Sequence, residues 1–249
     1  MKFYEFNEDE KRIDIFNERF YKIGDKFYRN VTTILGIIDK GYNYAEWLKQ
    51  TGYNSEIIVD RAGKFGSAFH ELVERFLLKE TVKYYDNIHL GEQAATALWE
   101  RWNIWLGFWK ELNKEHKVEY KPEGVEFICH DETFEYAGTV DLVAKIDGKI
   151  EIFDWKTGNY LGDKEKLQMS AYMNALQEMT GKEVKKANLV HLPAKKPNKK
   201  GYRVVEVENT DSLFNLFTAT QQVFNFKNKD KPKVLTLPLE VNLESLNKE

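Results

Sequence analysis

Hydrophobic positions along the chain change between a helical spacing and a strand spacing, and these changes divide the sequence into elements. Between Ser55 and Lys79, apolar residues recur every three or four positions, which predicts a long amphipathic helix. A second helix is predicted from Leu90 to Lys114. A third is predicted from Lys164 to Met179, and Gly181 is placed to close it as a C-cap.

The stretch between the second and third helices has the period-two pattern of β-strands, with Asp147-Gly148 at its centre. An Asp-Gly pair between two β-rich runs predicts a tight hairpin, because its two-residue turn needs positive φ. Residues equally distant from that turn then face each other, which places Asp141 opposite Asp154. This register predicts two carboxylates on a close rung, with Cβ atoms about 4.5–5.5 Å apart.

Two opposed aspartates need a reason, since like charges across a strand pair destabilise it. A half-buried pair of carboxylates either holds a proton or recruits a cation, and a divalent metal is the obvious candidate. Lys156 lies two positions beyond Asp154, so strand alternation places its ammonium group on the same face. Such a group of charges is typical of sites that cleave phosphodiester bonds, and an ordinary structural hairpin offers no explanation for it.

The remaining elements give weaker signals. They are a hairpin around Gly24-Asp25, short helices at 32–38 and 44–50, strands at 125–130, 187–192 and 202–207, and a last helix that Asp211 caps and that runs to about Phe226. The order of helix, three strands, helix and strand predicts an α/β fold with a mixed central sheet. We expect one domain, with residues 1–54 as an N-terminal hairpin and helical cover, 55–228 as the core and 229–249 as an extended tail.

Four tryptophans lie on one face of the second predicted helix. Trp99, Trp102, Trp105 and Trp109 are separated by three, three and four residues. Exposed aromatic rings bind unpaired bases in some proteins, but residues that share one helix face usually pack against a sheet. The spacing therefore favours core packing over base stacking.

Composition limits what the chain binds and where it works. Its 249 residues carry a net charge of −3, so contact with a polyanion needs a local basic surface such as the lysines within residues 195–200. The lone Cys129 excludes a four-cysteine iron–sulfur cluster and suits a reducing compartment. The sequence has no apolar run long enough for a membrane span and no signal peptide, so we expect a cytoplasmic protein.

Four motifs in order give the chain a family resemblance. They are Gly66-Ser-Ala-Phe-His70, Gly138-Thr-Val-Asp141, Asp154-Trp-Lys156 and Gln168-Met-Ser-Ala-Tyr172. Together they resemble the PD-(D/E)XK nucleases and, within them, the RecB-like exonuclease branch. The N-terminal part is also similar to the mitochondrial genome maintenance exonuclease and its phage relatives. The resemblance implies a restriction-endonuclease-like core of the order α-β-β-β-α-β with added N-terminal helices.

The resemblance also implies roles for individual residues. Mg²⁺ or Mn²⁺ would be held by His70, Asp141, Asp154 and the main-chain carbonyl of Trp155, with no iron–sulfur cluster. Lys156, Asp141 and Asp154 would be catalytic. Gln168 and Tyr172 would orient the lysine and hold the substrate strand, and Thr157 would also bind the substrate. A second group of candidates comprises Glu126, on the strand before the hairpin, and Arg61, Lys64 and Glu74, on the long helix.

The function implied by these roles is a metal-dependent exonuclease whose partner is DNA, as single strands or duplex ends. A structure-dependent endonuclease would use the same central motifs, although the Gln168–Tyr172 motif favours the exonuclease. A third alternative is a DNA-binding module of the same fold that has lost its activity, which the complete set of catalytic positions argues against. We expect a monomer without a membrane partner, and the sequence identifies no protein partner.

Overall fold

The computed structural model describes residues 11–15, 18–39, 41–231 and 234–235. The strands are β1 (Lys11–Ile15), β2 (Glu18–Ile23), β3 (Lys26–Asn30), β4 (Val118–Asp131), β5 (Tyr136–Ile146), β6 (Lys149–Lys156), β7 (Lys186–His191), β8 (Arg203–Glu208) and β9 (Val234–Leu235). The helices are α1 (Val31–Ile34), α2 (Tyr42–Thr51), α3 (Asn54–Leu77), α4 (Glu92–Glu115), α5 (Asp163–Thr180) and α6 (Asp211–Lys227), with short 3₁₀ turns at Leu35–Ile37 and Tyr84–Leu90.

The described strands form one mixed sheet. Its main order is β1-β2-β3-β5-β6-β7-β8, with β4 along the other edge of β5 and β9 beside β3. The pairs β3–β5 and β6–β7 are parallel, and the remaining pairs are antiparallel. The predicted α/β class, its mixed central sheet and the order α3-β4-β5-β6-α5-β7 are confirmed.

Helices cover both faces of the sheet and create two hydrophobic cores. On one face, α5 and α6 pack against apolar residues of β5, β6 and β7. On the other face, α3 and α4 pack against a second set that includes Phe153 and Trp155. The tryptophan helix belongs to this second core, because Trp102, Trp105 and Trp109 are buried there. The prediction that these rings serve packing is confirmed.

Local turn and cap chemistry accounts for several boundaries. Asp147 and Gly148 have φ of 49° and 85°, as a tight hairpin turn requires, and Gly181 closes α5 with φ of 62°. The last helix is capped by the side chain of Thr210, which accepts from the Leu213 amide, and the predicted cap at Asp211 is wrong. Asp211 instead lies in the first turn, where its charge complements the helix dipole.

The N-terminal hairpin is part of the sheet, although we predicted that it would cover the core. β2 and β3 flank the predicted turn at Gly24-Asp25, and β3 continues the sheet by pairing in parallel with β5 at Arg29–Tyr136 and Asn30–Ala137. The predicted helix at 32–38 is only one turn of α-helix followed by a 3₁₀ turn. Residues 1–10, part of the predicted hairpin, lie outside the described residues. So does most of the predicted tail, although Val234–Leu235 pairs with β3.

β5 has three neighbours, and its second edge divides between two of them. β4 pairs along one edge from Tyr136 to Ile146. On the other edge, β3 pairs with residues 136–137 and β6 pairs with residues 142–146. Residues 138–141 therefore lie in a fork between β3 and β6, and this fork contains the Gly138–Asp141 motif.

None of the helices in the described part of the chain is long and apolar enough to cross a membrane.

Candidate active site

The fork in the sheet brings together four of the sequence motifs. His70 comes from α3, Asp141 from β5, Asp154 and Lys156 from the end of β6, and Gln168 from α5. Glu126, from β4, joins them across the other edge of β5. The candidate site thus draws on both helical layers and on three adjacent strands.

Glu126 and Asp141 lie where the inward and outward alternation of side chains shifts by one residue in two neighbouring strands, β4 and β5. In β5, Tyr136 and Val140 pack on the α5 face, whereas Leu142, also even-numbered, packs on the α3 face. In β4, Val125 packs on the α3 face but Phe127 packs on the α5 face. The change in β4 occurs at Glu126, whose φ of 49° is unusual for a residue other than glycine and costs about 1–2 kcal/mol. This irregularity places the two carboxylates together.

The imidazole of His70 bridges two groups of the site. Its Nδ1 lies 3.2 Å from Asp141 Oδ1 and its Nε2 lies 2.9 Å from the carbonyl oxygen of Trp155. Both partners are acceptors, so the imidazole satisfies them fully only as a doubly protonated cation. Burial lowers the pKa of His70, but the charge and hydrogen bond of Asp141 outweigh burial and raise the pKa to about 9. Without a metal, His70 supplies a positive charge at this point.

Glu126, which the sequence placed in the second group of candidates, lies next to His70 and Asp141. One ligand atom each from His70, Glu126 and Asp141 lies within 4.8 Å of the others, so the three form a compact group of possible metal ligands. Burial, and then the charge of Asp141, raises the pKa of Glu126 to about 8. Its left-handed backbone is invisible in a sequence, because the usual signal for positive φ is glycine or asparagine.

Asp154 is paired with Lys156 and borders that compact group without belonging to it. Its Oδ2 is 2.7 Å from Lys156 Nζ, and burial together with Asp141 raises the pKa of Asp154 to about 6, against the opposing effect of Lys156. The prediction that Asp141 and Asp154 pair directly across the β5–β6 hairpin is wrong. Pairing of β5 with β6 ends at Leu142–Phe153, one step before the aspartates, and Asp141 Oδ2 instead accepts the Trp155 amide at 2.6 Å.

The ammonium group of Lys156 lies between Asp154 of its own strand, β6, and Gln168 of α5. Besides the ion pair with Asp154, its Nζ donates to Gln168 Oε1 at 3.2 Å, and Gln168 Nε2 donates to the Tyr172 hydroxyl at 2.9 Å. Burial lowers the pKa of Lys156, but the charges of Asp154 and Asp141 outweigh burial and raise it. The amine is therefore an ammonium group in the metal-free protein. Gln168 and Tyr172 share a helix face above this lysine, as predicted.

Tyr172 fits beneath the strand only because residue 138 is glycine. A Cβ added at Gly138 would lie 2.3 Å from Cε1 of the Tyr172 ring. The ring is 2% exposed, so its hydroxyl orients Gln168 from inside the core. Direct contact of Tyr172 with a substrate strand stays a prediction.

The remaining predicted site residues lie around the group formed by His70, Glu126 and Asp141, some close to it and some on the surface. Thr157 is half-buried at the end of β6, opposite Gly66 of α3, where an added Cβ would be 3.6 Å from Thr157 Oγ1. Glu74 is half-buried one turn after His70, and its charge contributes to the raised pKa of Glu126. Arg61 and Lys64 are exposed in the N-terminal half of α3, and Lys64 pairs with Asp60 at 2.8 Å.

The donors present suit a hard divalent cation. Carboxylate oxygens and a carbonyl are ligands for Mg²⁺ or Mn²⁺, and an imidazole makes Mn²⁺ at least as suitable. Asp154 Oδ2 is buried and, despite its closeness to Lys156, makes no well-aligned hydrogen bond. A strained glutamate and an under-satisfied carboxylate at one point fit a site that binds a cation. His70, Glu126 and Asp141 would hold it.

Comparison with known proteins places the chain in a family. A model of the PD-(D/E)XK nuclease superfamily matches residues 42–234, more than half of the chain. The chain therefore belongs to the PD-(D/E)XK nuclease superfamily. This confirms the superfamily expected from the four motifs, while the RecB-like branch stays a prediction.

Similarity to solved structures is distant. The alkaline exonuclease LHK-Exo from Laribacter hongkongensis is 9% identical with a TM-score of 0.37, and the match covers 82% of this chain and 88% of that chain. The protein SSO0001 is 16% identical with a TM-score of 0.34, over 57% of this chain and 66% of that chain. No match was found among curated proteins.

The close approach of Gly138 and Tyr172 predicts the effect of one added methyl group. Gly138→Ala should displace the buried ring, break the Gln168–Tyr172 hydrogen bond and destabilise the fold by about 1–3 kcal/mol. Gly66→Ala is the matched control, because its Cβ would meet only Thr157 at an ordinary distance. Urea unfolding measures both. Adding Tyr172→Leu to the Gly138→Ala protein should remove most of the extra cost of the methyl group, and purely additive effects would contradict the steric explanation.

The raised pKa values predict that metal binding releases protons. At pH 7 the free site holds protons on Glu126, with a pKa of about 8, and on His70, with a pKa of about 9. Both groups must lose a proton before they act as ligands, so we expect release of about one to two protons per ion. Affinity should rise with pH until both have titrated. Calorimetry with Mn²⁺ in two buffers of different ionisation enthalpy counts the protons.

Glu126→Gln provides the control, since it removes one of the protonated groups and should release about one proton fewer. A parent protein that binds Mn²⁺ at pH 7 without releasing any proton would show that neither residue is a ligand.

Proposed function

We propose that the protein is a metal-dependent DNA exonuclease of the RecB-like branch, similar in role to the mitochondrial genome maintenance exonuclease and its phage relatives. The observation that carries the proposal is the position of Lys156, held between Asp154 of the same strand and Gln168 of α5. Together with Asp141 and His70, this arrangement uses all four sequence motifs in one place. The family match supplies the nuclease chemistry, and the Gln168–Tyr172 motif favours action at DNA ends.

The carboxylates and imidazole would form the cation site. His70, Glu126 and Asp141 would hold the ion, with the Trp155 carbonyl and Asp154 as the further donors implied by the resemblance. A bound divalent ion would supply positive charge next to the scissile phosphate and lower the pKa of a water molecule. For this, His70 and Glu126 have to lose the protons that they carry in the free protein.

Lys156 would act as a positioned cation. In the metal-free protein its amine is charged, so its role is to donate hydrogen bonds to phosphate oxygens or to the attacking water and to stabilise the developing negative charge. The ion pair with Asp154 fixes its position along β6, and Gln168 fixes it from the side. A lysine without these partners would have several rotamers, and displacement of a catalytic group by about 1 Å can slow a reaction ~100-fold.

Gln168 would divide its two polar atoms between catalysis and structure. Its oxygen accepts from Lys156, while its amide nitrogen donates to the hydroxyl of the buried Tyr172. The tyrosine thus prevents the amide from rotating, which keeps an acceptor directed at the lysine. Thr157, one residue beyond Lys156, remains the candidate for direct contact with the substrate backbone.

The proposal is tested with end-labelled linear single strands, linear duplexes and circular single strands, each with Mg²⁺, Mn²⁺ or EDTA. An exonuclease should shorten linear DNA in the presence of a metal, leave circles intact and stop in EDTA. Cleavage of circles would identify the structure-dependent endonuclease instead. Binding of DNA without cleavage under every condition would identify the inactive module.

Near-isosteric variants should separate metal binding from the action of the lysine. Asp141→Asn should lose both cleavage and the thermal stabilisation by Mn²⁺, which amounts to about 2.7 kcal/mol at 100 times the Kd. Lys156→Gln should lose cleavage but keep this stabilisation, because the lysine binds no metal. The melting temperature of each variant with Mn²⁺ is compared with that of the same variant in EDTA. This is needed because Lys156→Gln removes the partner of the buried Asp154 and so lowers the stability of the metal-free protein. If Lys156→Gln lost the metal effect as completely as Asp141→Asn, the assigned roles would be wrong.

A further inference from the structure

The lysine-rich segment seen in the sequence lies at the catalytic end of the sheet. β6 and β7 run parallel, and Lys156 is the register partner of His191, so the two strands end side by side. The Gly158 loop (residues 157–162) follows β6, and the lysine loop (residues 193–201) follows β7. The two loops therefore leave the sheet next to each other.

Side-chain hydrogen bonds fasten these loops together. His191 Nε2 donates to the Gly158 carbonyl at 2.6 Å, and its Nδ1 accepts from Arg203 Nε at 3.0 Å. The arginine donor fixes the neutral tautomer that carries its proton on Nε2. Asn159 Oδ1 then accepts from the Ala194 amide at 3.2 Å. Lys195, the next residue, is thereby held beside the Gly158 loop, which begins directly after Lys156.

Three of the four lysines in this loop present unpaired charge. Within the described residues, Lys195, Lys196 and Lys199 are exposed and have no ion pair. Lys200 differs, because it pairs with Glu111 and lies over the Tyr202 ring, which anchors the far end of the loop to α4. The anchored loop thus holds three free ammonium groups, in a chain whose net charge is −3.

The Gly158 loop adds an exposed aromatic ring. Tyr160 is 81% exposed, although its ring edge lies against Gly162 closely enough that a Cβ there would be 2.7 Å from Cε1. The glycine thus supports the ring at one edge and leaves its face open to solvent. Such a face stacks on an unpaired base, whereas the bases inside a duplex already stack on each other.

We propose that the lysine loop and Tyr160 form a track that binds a single DNA strand next to the catalytic site. The three free lysines contact successive phosphates, and Tyr160 stacks on one unpaired base. Lys199 is five residues from Ala194 and so lies at most about 18 Å from it, a span that three successive phosphates of one strand can match. The inference rests on the proposed function and adds to it a preference for single-stranded DNA.

The test compares Lys195→Gln/Lys196→Gln/Lys199→Gln with Lys79→Gln/Lys227→Gln/Lys229→Gln, which neutralises three exposed lysines outside the two loops. Binding of a short fluorescent single strand is measured by anisotropy in EDTA over a range of salt concentrations. Each phosphate contact contributes roughly 0.7 to the salt slope, so the track variant should lose about 2 units of slope and bind roughly 10-fold more weakly. The control variant should bind as the parent does.

Tyr160→Ala tests the stacking. It should weaken binding of the single strand roughly 5-fold or more and leave binding of a blunt duplex unchanged. The proposal would be overturned if the track variant kept the affinity and the salt slope of the parent. It would also be overturned if the parent bound the duplex more tightly than the single strand and Tyr160→Ala had no effect. Because binding is measured in EDTA, failure of the parent to cleave any DNA would reject the proposed function separately from the track.

Discussion

The structure depends on the position of β5, a strand that has to satisfy three neighbours. β4 takes one whole edge, and the other edge is shared by β3 and β6, so the strand has a short free stretch at residues 138–141. A free stretch inside a sheet leaves backbone groups and space that side chains have to fill. The buried Tyr172 fills the space at Gly138, and Asp141 takes up the Trp155 amide that no strand reaches. The same opening is where His70, Glu126 and Asp141 come within reach of one another.

Charge balance is the second constraint on this opening. Glu126, Asp141 and Asp154 would repel each other if all were ionised and unpaired, and burial makes that repulsion stronger. The protein offsets it in two ways: protons are retained on Glu126, and cationic groups are placed on both sides, His70 from α3 and Lys156 on the α5 side. Each helical layer therefore contributes to the electrostatics of the site as well as to the hydrophobic core.

The sequence predicted most of this arrangement, and its failures have physical causes. Regular alternation gave the hairpin and brought Asp141 near Asp154, because residue types and turn chemistry determine both. Alternation could not predict that β4 and β5 change phase together, since Glu126 has left-handed φ without the glycine or asparagine that usually indicates it. The predicted pairing of Asp141 with Asp154 extended the β5–β6 hairpin by one residue pair too many, because the shift in β5 ends the regular pairing at Leu142–Phe153. The N-terminal hairpin was misplaced because its pairing with β5 involves two residues on each strand, too few to leave a pattern.

The bridge made by His70 bears on how the protein is produced in a cell. Many metal sites are collections of negative charge that stay unfolded or strained until the ion arrives. Here the imidazolium already neutralises Asp141 and occupies the Trp155 carbonyl, so the chain contains its own substitute for the ion. Newly synthesised protein would then reach its final shape without any metal supply. Scarcity of the ion would then lower the metal-bound fraction, and the folded protein would lose only the stabilisation that binding adds.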